Sequence, residues 1–324
     1  MALQTNSDTL ITVFGGSGFL GRHVVRALAK RRYRVRVAVR RPELAGHLQP
    51  LGTVGQIHAV QANLRYPASV ESAVRDASAV INLVGILFQR GRQRFETVQH
   101  TGAEQVALAA SAHGARLIHV SAIGADEKSA SLYARSKALG EQAVRAASPD
   151  AVIIRPSVVF GPEDDFFNRF ASLARFLPAL PLVGGGHTRF QPVFAADVAE
   201  AIATLVESGQ GDGRTYEFGG PEVRSMRDIM EYVLAVTERS RLLVPLPFGI
   251  ARMQAWFLQF LPNPPLTPDQ VELLRSDNVV SEDAIRDSRT LQGLGVMPSS
   301  YEAIVPDYLW RFRKTGQFRT GRFA

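Results

Sequence analysis

Three glycines spaced three apart, at 15, 18 and 21 in GGSGFLG, separate an apolar run (LITVF, 10–14) from an amphipathic segment (GRHVVRALAKR, 21–31). A strand entering a glycine turn that opens directly into a helix has few uses, and binding a dinucleotide is the main one. Gly15 permits the tight turn, Gly18 lets a pyrophosphate approach the backbone, and Gly21 lets the helix pack on the sheet. The free N–H groups across Ser17, Gly18, Phe19, Leu20, Gly21 and Arg22 then face the anion.

The rest of the first half repeats this alternation. Val/Ile-rich runs at 33–40, 56–64, 78–86, 116–124 and 151–161 read as strands, and segments at about 96–113 and up to 147 read as helices. Continuous apolar strands alternating with helices predict an α/β fold: a Rossmann-type doubly wound parallel sheet covered on both faces. After Gly161 the pattern breaks at Pro178, Pro181 and the glycines at 184–186, so a smaller C-terminal lobe is expected. The predicted division is 1–165 as the nucleotide-binding domain, with a return segment at about 190–222, and 166–324 as the smaller lobe.

The end of the second strand selects the dinucleotide. An acid there takes the ribose hydroxyls of NAD. This chain carries Arg40 and Arg41 instead, with Arg22 after the last glycine. Guanidinium groups pair with a 2′-phosphate that a carboxylate would repel, so NADP(H) is the expected cofactor. The chain has no cysteine, and its seven histidines lack metal-ligand spacing, so neither a metal nor a disulfide is expected. The start of the chain lacks signal-peptide and transit-peptide features, and no run of apolar residues is long enough to span a bilayer. A net charge of +7 favours anionic partners, yet no RNA-binding module is present, so no specific nucleic acid is expected.

YARSK (133–137) places Tyr133 and Lys137 four apart, on one side of a helix. That pair, Ser121 after the fifth strand, NLVG (82–85) after the fourth, the glycine loop, RPSVVFGPED (155–164) and QPVFAADVAEAI (191–202) together resemble the extended branch of the short-chain dehydrogenase/reductase superfamily. Closer still, VINLVG, LIHVSAIGADEKSASLYARSKALGE, GPEDDFFNRFASLARF and FQPVFAADV, in that order, resemble the accessory subunit of respiratory complex I that has this fold. The resemblance implies a tightly held NADPH, other complex I subunits as partners, and a role in assembly or stability. It places the chain peripherally on the cytoplasmic face of a bacterial inner membrane, or on the matrix side if mitochondrial. The cofactor contacts it implies also include Asn63, Leu64, Val84, Gly85, Pro156, Ser157 and Val158. Two positions depart from the family pattern: Asn63 replaces an aspartate, and Gln99 replaces an asparagine that supports the active-site lysine.

Two functions fit these residues. In a free-standing NADPH-dependent reductase or epimerase, Tyr133 is the general acid or base, Lys137 lowers its pKa, and Ser121 holds the substrate oxygen. In an accessory subunit, Tyr133 and Lys137 only hold the cofactor ribose. The segments expected to line a substrate pocket (84–98, 123–132 and 161–190) are poor in the polar groups of a sugar-nucleotide site, which favours the accessory reading. PFGIARMQAWFLQFLP (247–262) is either a core or lid helix of the smaller lobe or an interfacial helix laid on lipid. The basic, aromatic segment 308–324 is either a solvated tail or a contact with an anionic membrane surface.

Overall fold

The strand ahead of the glycine turn, β1 (Leu10–Phe14), lies in the middle of a sheet. The computed structural model describes residues 6–262 and 264–315. On either side of β1 run β2 (Arg34–Val39) and β4 (Ala79–Asn82), in registers that pair Leu10 with Arg34 and Ile11 with Ala79. β3 (Ile57–Gln61), β5 (Arg116–Val120) and β6 (Val152–Pro156) extend the order to β3-β2-β1-β4-β5-β6, and Thr215–Phe218 closes it beside β6. All seven strands are parallel. The order reverses between β1 and β4, and ligands of such sheets bind beyond the carboxyl ends of the strands at that switch.

Both faces of the sheet are covered, so its strands carry apolar residues continuously rather than in alternation. In β1, Ile11, Val13 and Phe14 are all buried. α1 (Phe19–Lys30) turns Val24, Val25 and Leu28 inward. On the other face, α2 (Pro67–Val74) and α3 (Thr101–Ala112) pack Val70, Val74, Val106 and Ala110 against Phe14, Val80 and Leu117. α4 (Leu132–Ala147) begins at Ser131, whose hydroxyl accepts the Ala134 N–H (3.2 Å). Its buried stripe of Ala134, Lys137, Ala138, Glu141 and Val144 follows the 3–4 spacing of an amphipathic helix, with two charged residues inside it.

The strands end sooner than their apolar runs predict, and α2 lies where the sequence pattern predicts no helix. Residues 83–86 and 121–124 leave the sheet at its carboxyl edge, and the 151–161 run ends as a strand at Pro156, with Val159–Phe160 pairing separately to Val193–Phe194. The described residues divide into two units: those up to Pro156 with 195–218 and 280–297, and 157–194 with 219–279 and those from Pro298 on. The return of 280–297 to the first unit was not anticipated. It is fixed there by bonds that involve no apolar pattern: Ser281 N–H to Glu217 Oε2 (2.8 Å), Glu217 N–H to Arg289 O (2.9 Å), and Arg289 Nη1 to Thr215 O (2.8 Å).

In the second unit, helices Phe167–Phe176 and Met226–Val236 enclose a core with Phe160, Phe190, Tyr301 and Leu309. Helix Phe248–Leu258 is not a core helix. Only its Ala251 and Ala255 are buried, while Met253, Trp256 and Phe257 are 59%, 53% and 63% exposed and Phe260 just beyond is 72% exposed. Most of the basic tail, 316–324, lies outside the described residues.

Candidate functional site: a dinucleotide cradle with a buried lysine

The glycine turn has the backbone that a dinucleotide site needs. Gly15 adopts φ +78°, a left-handed conformation that side chains disfavour. Its N–H donates to Ala38 O (3.2 Å) and its carbonyl accepts the Gly18 N–H (3.0 Å). Gly18 caps α1 without any side-chain hydrogen bond, so the cap residue supplies no acceptor to the first N–H groups of that helix. A Cβ on Gly21 would overlap Gly15 O and Gly16, so the helix sits on the turn itself. The contact with the sheet falls instead to Gly16, where a Cβ would stand 2.8 Å from Val37 Cγ1. The glycine spacing predicts that packing at Gly21 instead.

The other predicted contacts of the first unit gather at the carboxyl edge of the same strands. Arg40 and Arg41 follow β2 and are exposed. Arg22 is half-buried in the first turn of α1. Asn63 and Leu64 follow β3. Asn63 Oδ1 accepts both the backbone N–H (3.2 Å) and the Nε–H (3.4 Å) of Arg65, so this side chain closes its own turn. Val84 and Gly85 follow β4, and Pro156 ends β6. Ser157 and Val158 belong to the second unit, where the Ser157 hydroxyl donates to Asn278 Oδ1 (2.7 Å) and the Val158 N–H donates to the same oxygen (3.0 Å).

Ser121, Tyr133 and Lys137 lie past β5 and on α4. Lys137 is 5% exposed, and its Nζ donates to Val120 O (3.2 Å). It stands 6.0 Å from the centroid of the half-buried Tyr133 ring, and a Cβ on Gly85 would be 3.3 Å from Nζ. Burial lowers the Lys137 ammonium to about 8, while the Glu141 carboxylate pulls it upward. Ser121 Oγ is buried and has no hydrogen-bond partner among the described residues. A buried hydroxyl and a buried ammonium with spare hydrogen-bonding capacity at the edge of this sheet fit the hydroxyls of a nucleotide ribose.

Gln99 occupies a π-helical turn, Glu96–His100, ahead of α3. Its amide nitrogen donates to Ile86 O (2.9 Å), and its Oε1 accepts the Ser136 hydroxyl (2.6 Å). The asparagine substitute therefore ties α4 to the loop after β4, and no hydrogen bond joins it to Lys137.

Asn82 and His119 form a buried pair that no motif predicts. Asn82 Oδ1 accepts the Val84 N–H (3.1 Å), so its amide nitrogen faces His119 Nδ1 (3.2 Å). Nδ1 is then the acceptor, and the neutral ring carries its proton on Nε2. Burial, and secondarily the Lys137 charge, lower His119 to about 3. The signal was present in IHVS, since residues two apart on a strand share a face and His119 thus sits beside Ser121.

Comparison with known proteins agrees with this geometry. Residues 11–219 match the NAD dependent epimerase/dehydratase family. The chain is 36% identical over 323 residues to the mitochondrial NADH dehydrogenase (ubiquinone) 1 alpha subcomplex subunit 9 of Arabidopsis thaliana, covering 96% of this chain and 79% of that protein. It is 37% identical over 204 residues to a ceramide reductase of Caulobacter vibrioides, covering 63% and 62% of the two chains. Its fold matches that of an NADPH-dependent quinone oxidoreductase of Escherichia coli, with a TM-score of 0.73 at 17% identity over 92% of this chain and 99% of that one, which was solved with NADPH. The chain belongs to the NAD dependent epimerase/dehydratase family and, within it, to the group of the mitochondrial NADH dehydrogenase alpha subcomplex subunit 9.

Proposed function

We propose that this protein is an accessory subunit of respiratory complex I that holds NADP(H) as a structural ligand and supports assembly or stability of the complex. The observation that carries this reading is 36% identity to the Arabidopsis thaliana alpha subcomplex subunit 9 over 96% of the chain. Preference for NADP(H) rests on Arg40 and Arg41 at the end of β2, where two guanidinium groups suit a 2′-phosphate. The glycine turn and the start of α1 would take the pyrophosphate, and Tyr133 and Lys137 the nicotinamide ribose. A bound ligand of this kind stabilises the folded state by mass action.

The proposed location is peripheral, on the cytoplasmic face of a bacterial inner membrane or the matrix side if mitochondrial. Among the described residues no helix is long and apolar enough to cross a membrane. Met253, Trp256, Phe257 and Phe260, exposed around a helix whose only charge is Arg252, suit the headgroup region of an anionic membrane surface.

A second reading is favoured by one observation: Ser121, Tyr133 and Lys137 are all present, with Lys137 lowered to about 8. A free-standing NADPH-dependent reductase would use them as substrate holder, proton donor and donor-tuning cation, and the bound cofactor would supply hydride. The partial match to a ceramide reductase supports this alternative. Native electrophoresis of gently solubilised membranes, probed with an antibody to this chain, separates the two. Comigration with assembled complex I is expected, and recovery only as a free protein that oxidises NADPH with a carbonyl substrate would overturn the accessory reading.

A further inference from the structure

The loop between β4 and the Glu96–His100 turn is a short, firmly held hairpin. Arg90 and Gln93 exchange backbone hydrogen bonds (2.9 and 3.0 Å) around Gly91, which adopts φ +56°. Its base is tied twice: Ile86 O accepts from Gln99 Nε2 (2.9 Å), and the Phe95 N–H donates to Gln89 Oε1 (3.1 Å). Phe95 is buried and meets the Tyr133 ring edge-on, with centroids 5.9 Å apart. The hairpin is therefore a fixed wall beside Tyr133.

Its exposed residues are of two kinds. Arg90, Arg92 and Arg94 are exposed within five residues. No carboxylate among the described residues pairs with Arg92 or Arg94, and the nearest acid in sequence, Glu96, is taken by His100 (2.8 Å). Immediately before them, Leu87 is 51% exposed between the half-buried Ile86 and Phe88. Three cations beside an exposed apolar run match a ligand that is itself anionic at one end and apolar at the other. An inorganic anion would leave Leu87 without a role.

We propose that the hairpin 86–94 binds an anionic lipid, its phosphate on Arg90, Arg92 and Arg94 and its chain on Leu87 and the adjoining apolar residues, next to Tyr133. This deepens the reading of the Tyr133 region as the cofactor and substrate side of the fold, and rests on it. The test uses the purified full chain and dihexanoyl phosphatidic acid below its micellar concentration, titrated by calorimetry, with dihexanoyl phosphatidylcholine and inorganic phosphate as controls. Saturable binding of phosphatidic acid is expected. Arg90→Ser/Arg92→Ser/Arg94→Ser together should weaken it by roughly 100-fold, on the scale of anionic-lipid attraction per basic residue, and Leu87→Ser several-fold. Retained NADPH, measured on the same preparations, should not change. Equal binding of the zwitterionic lipid, equal competition by inorganic phosphate, or unaltered affinity in the triple variant would overturn the proposal. So would loss of NADPH from the triple variant, which would assign these arginines to the cofactor. A wild type that binds the lipid without holding any nicotinamide cofactor would instead refute the cofactor reading and leave the lipid site standing.

Discussion

Gly140 of α4 lies directly on the backbone of Gln99: a Cβ at 140 would overlap the Gln99 carbonyl oxygen. Replacing a helical glycine by alanine ordinarily gains up to about 1 kcal/mol. Here Gly140→Ala should instead cost roughly 1–3 kcal/mol, as overpacking does. It should also loosen the Ser136–Gln99 bond. Urea denaturation of variant and wild type measures the sign, and a stabilised variant would refute the contact.

Lys137 gives a pH signature in the cofactor-free protein. Its folded pKa of about 8 lies below the unfolded value near 10.5. Below pH 8 both states are protonated and the burial cost is constant. Between pH 8 and 10.5 the unfolded chain binds more protons, so stability contributed by this group rises with pH, by at most about 1.4 kcal/mol per unit. The difference in urea midpoint between wild type and Lys137→Met should therefore move in favour of the wild type from pH 8 to pH 10. A flat difference would mean that the ammonium is not buried.

His119 acts on the acid side. Its folded pKa of about 3 lies below the unfolded 6.5, so the unfolded chain binds more protons between those values. Stability from this group is fully present above pH 6.5 and is lost as pH falls toward 3. His119→Gln keeps an acceptor for Asn82 but cannot titrate. Relative to it, the wild type should lose ground from pH 6.5 to 4 in thermal melts.

Arg40→Ala/Arg41→Ala should weaken NADPH by tenfold or more, the order expected for losing charge-assisted bonds, and change NADH little. Equal affinity of the wild type for the two cofactors, measured by fluorescence titration, would remove the basis for the NADP(H) preference.

Tyr133→Phe and Gly18→Leu separate holding a ligand from using it. Loss of the phenol removes one hydrogen bond, worth about 1 kcal/mol, and should leave assembled complex and bound cofactor largely intact. A side chain at 18 should block the pyrophosphate and lower both. A Tyr133→Phe cell phenotype as severe as that of Gly18→Leu, with NADPH still bound, would show that the phenol does chemistry.

The sheet and its glycine turn were legible because both follow from local patterns: apolar runs, glycine spacing and the entry of a helix. Ser121, Tyr133 and Lys137 were legible for the same reason, as a strand end and an i, i+4 pair. What was not legible depends on pairing between distant segments. His119 matters through Asn82, 37 residues away, and Glu141 through Arg155, which it accepts in a bidentate pair (2.9 and 2.7 Å). Helix Phe248–Leu258 is apolar enough to be core, and only its two buried alanines tell which side faces the protein.

The return of Val280–Met297 to the first unit sets an order on biosynthesis. Glu217 is buried and spends one carboxylate oxygen on the Ser281 N–H, a donor that leaves the ribosome more than sixty residues later. Until then the edge strand Thr215–Phe218 has β6 on one side and no Arg289 on the other. The nucleotide-binding half of this protein thus cannot be completed as the chain emerges. A fragment cut at residue 165 would lack both that strand and its clasp, so the seven-stranded sheet is completed only after translation has passed Arg289.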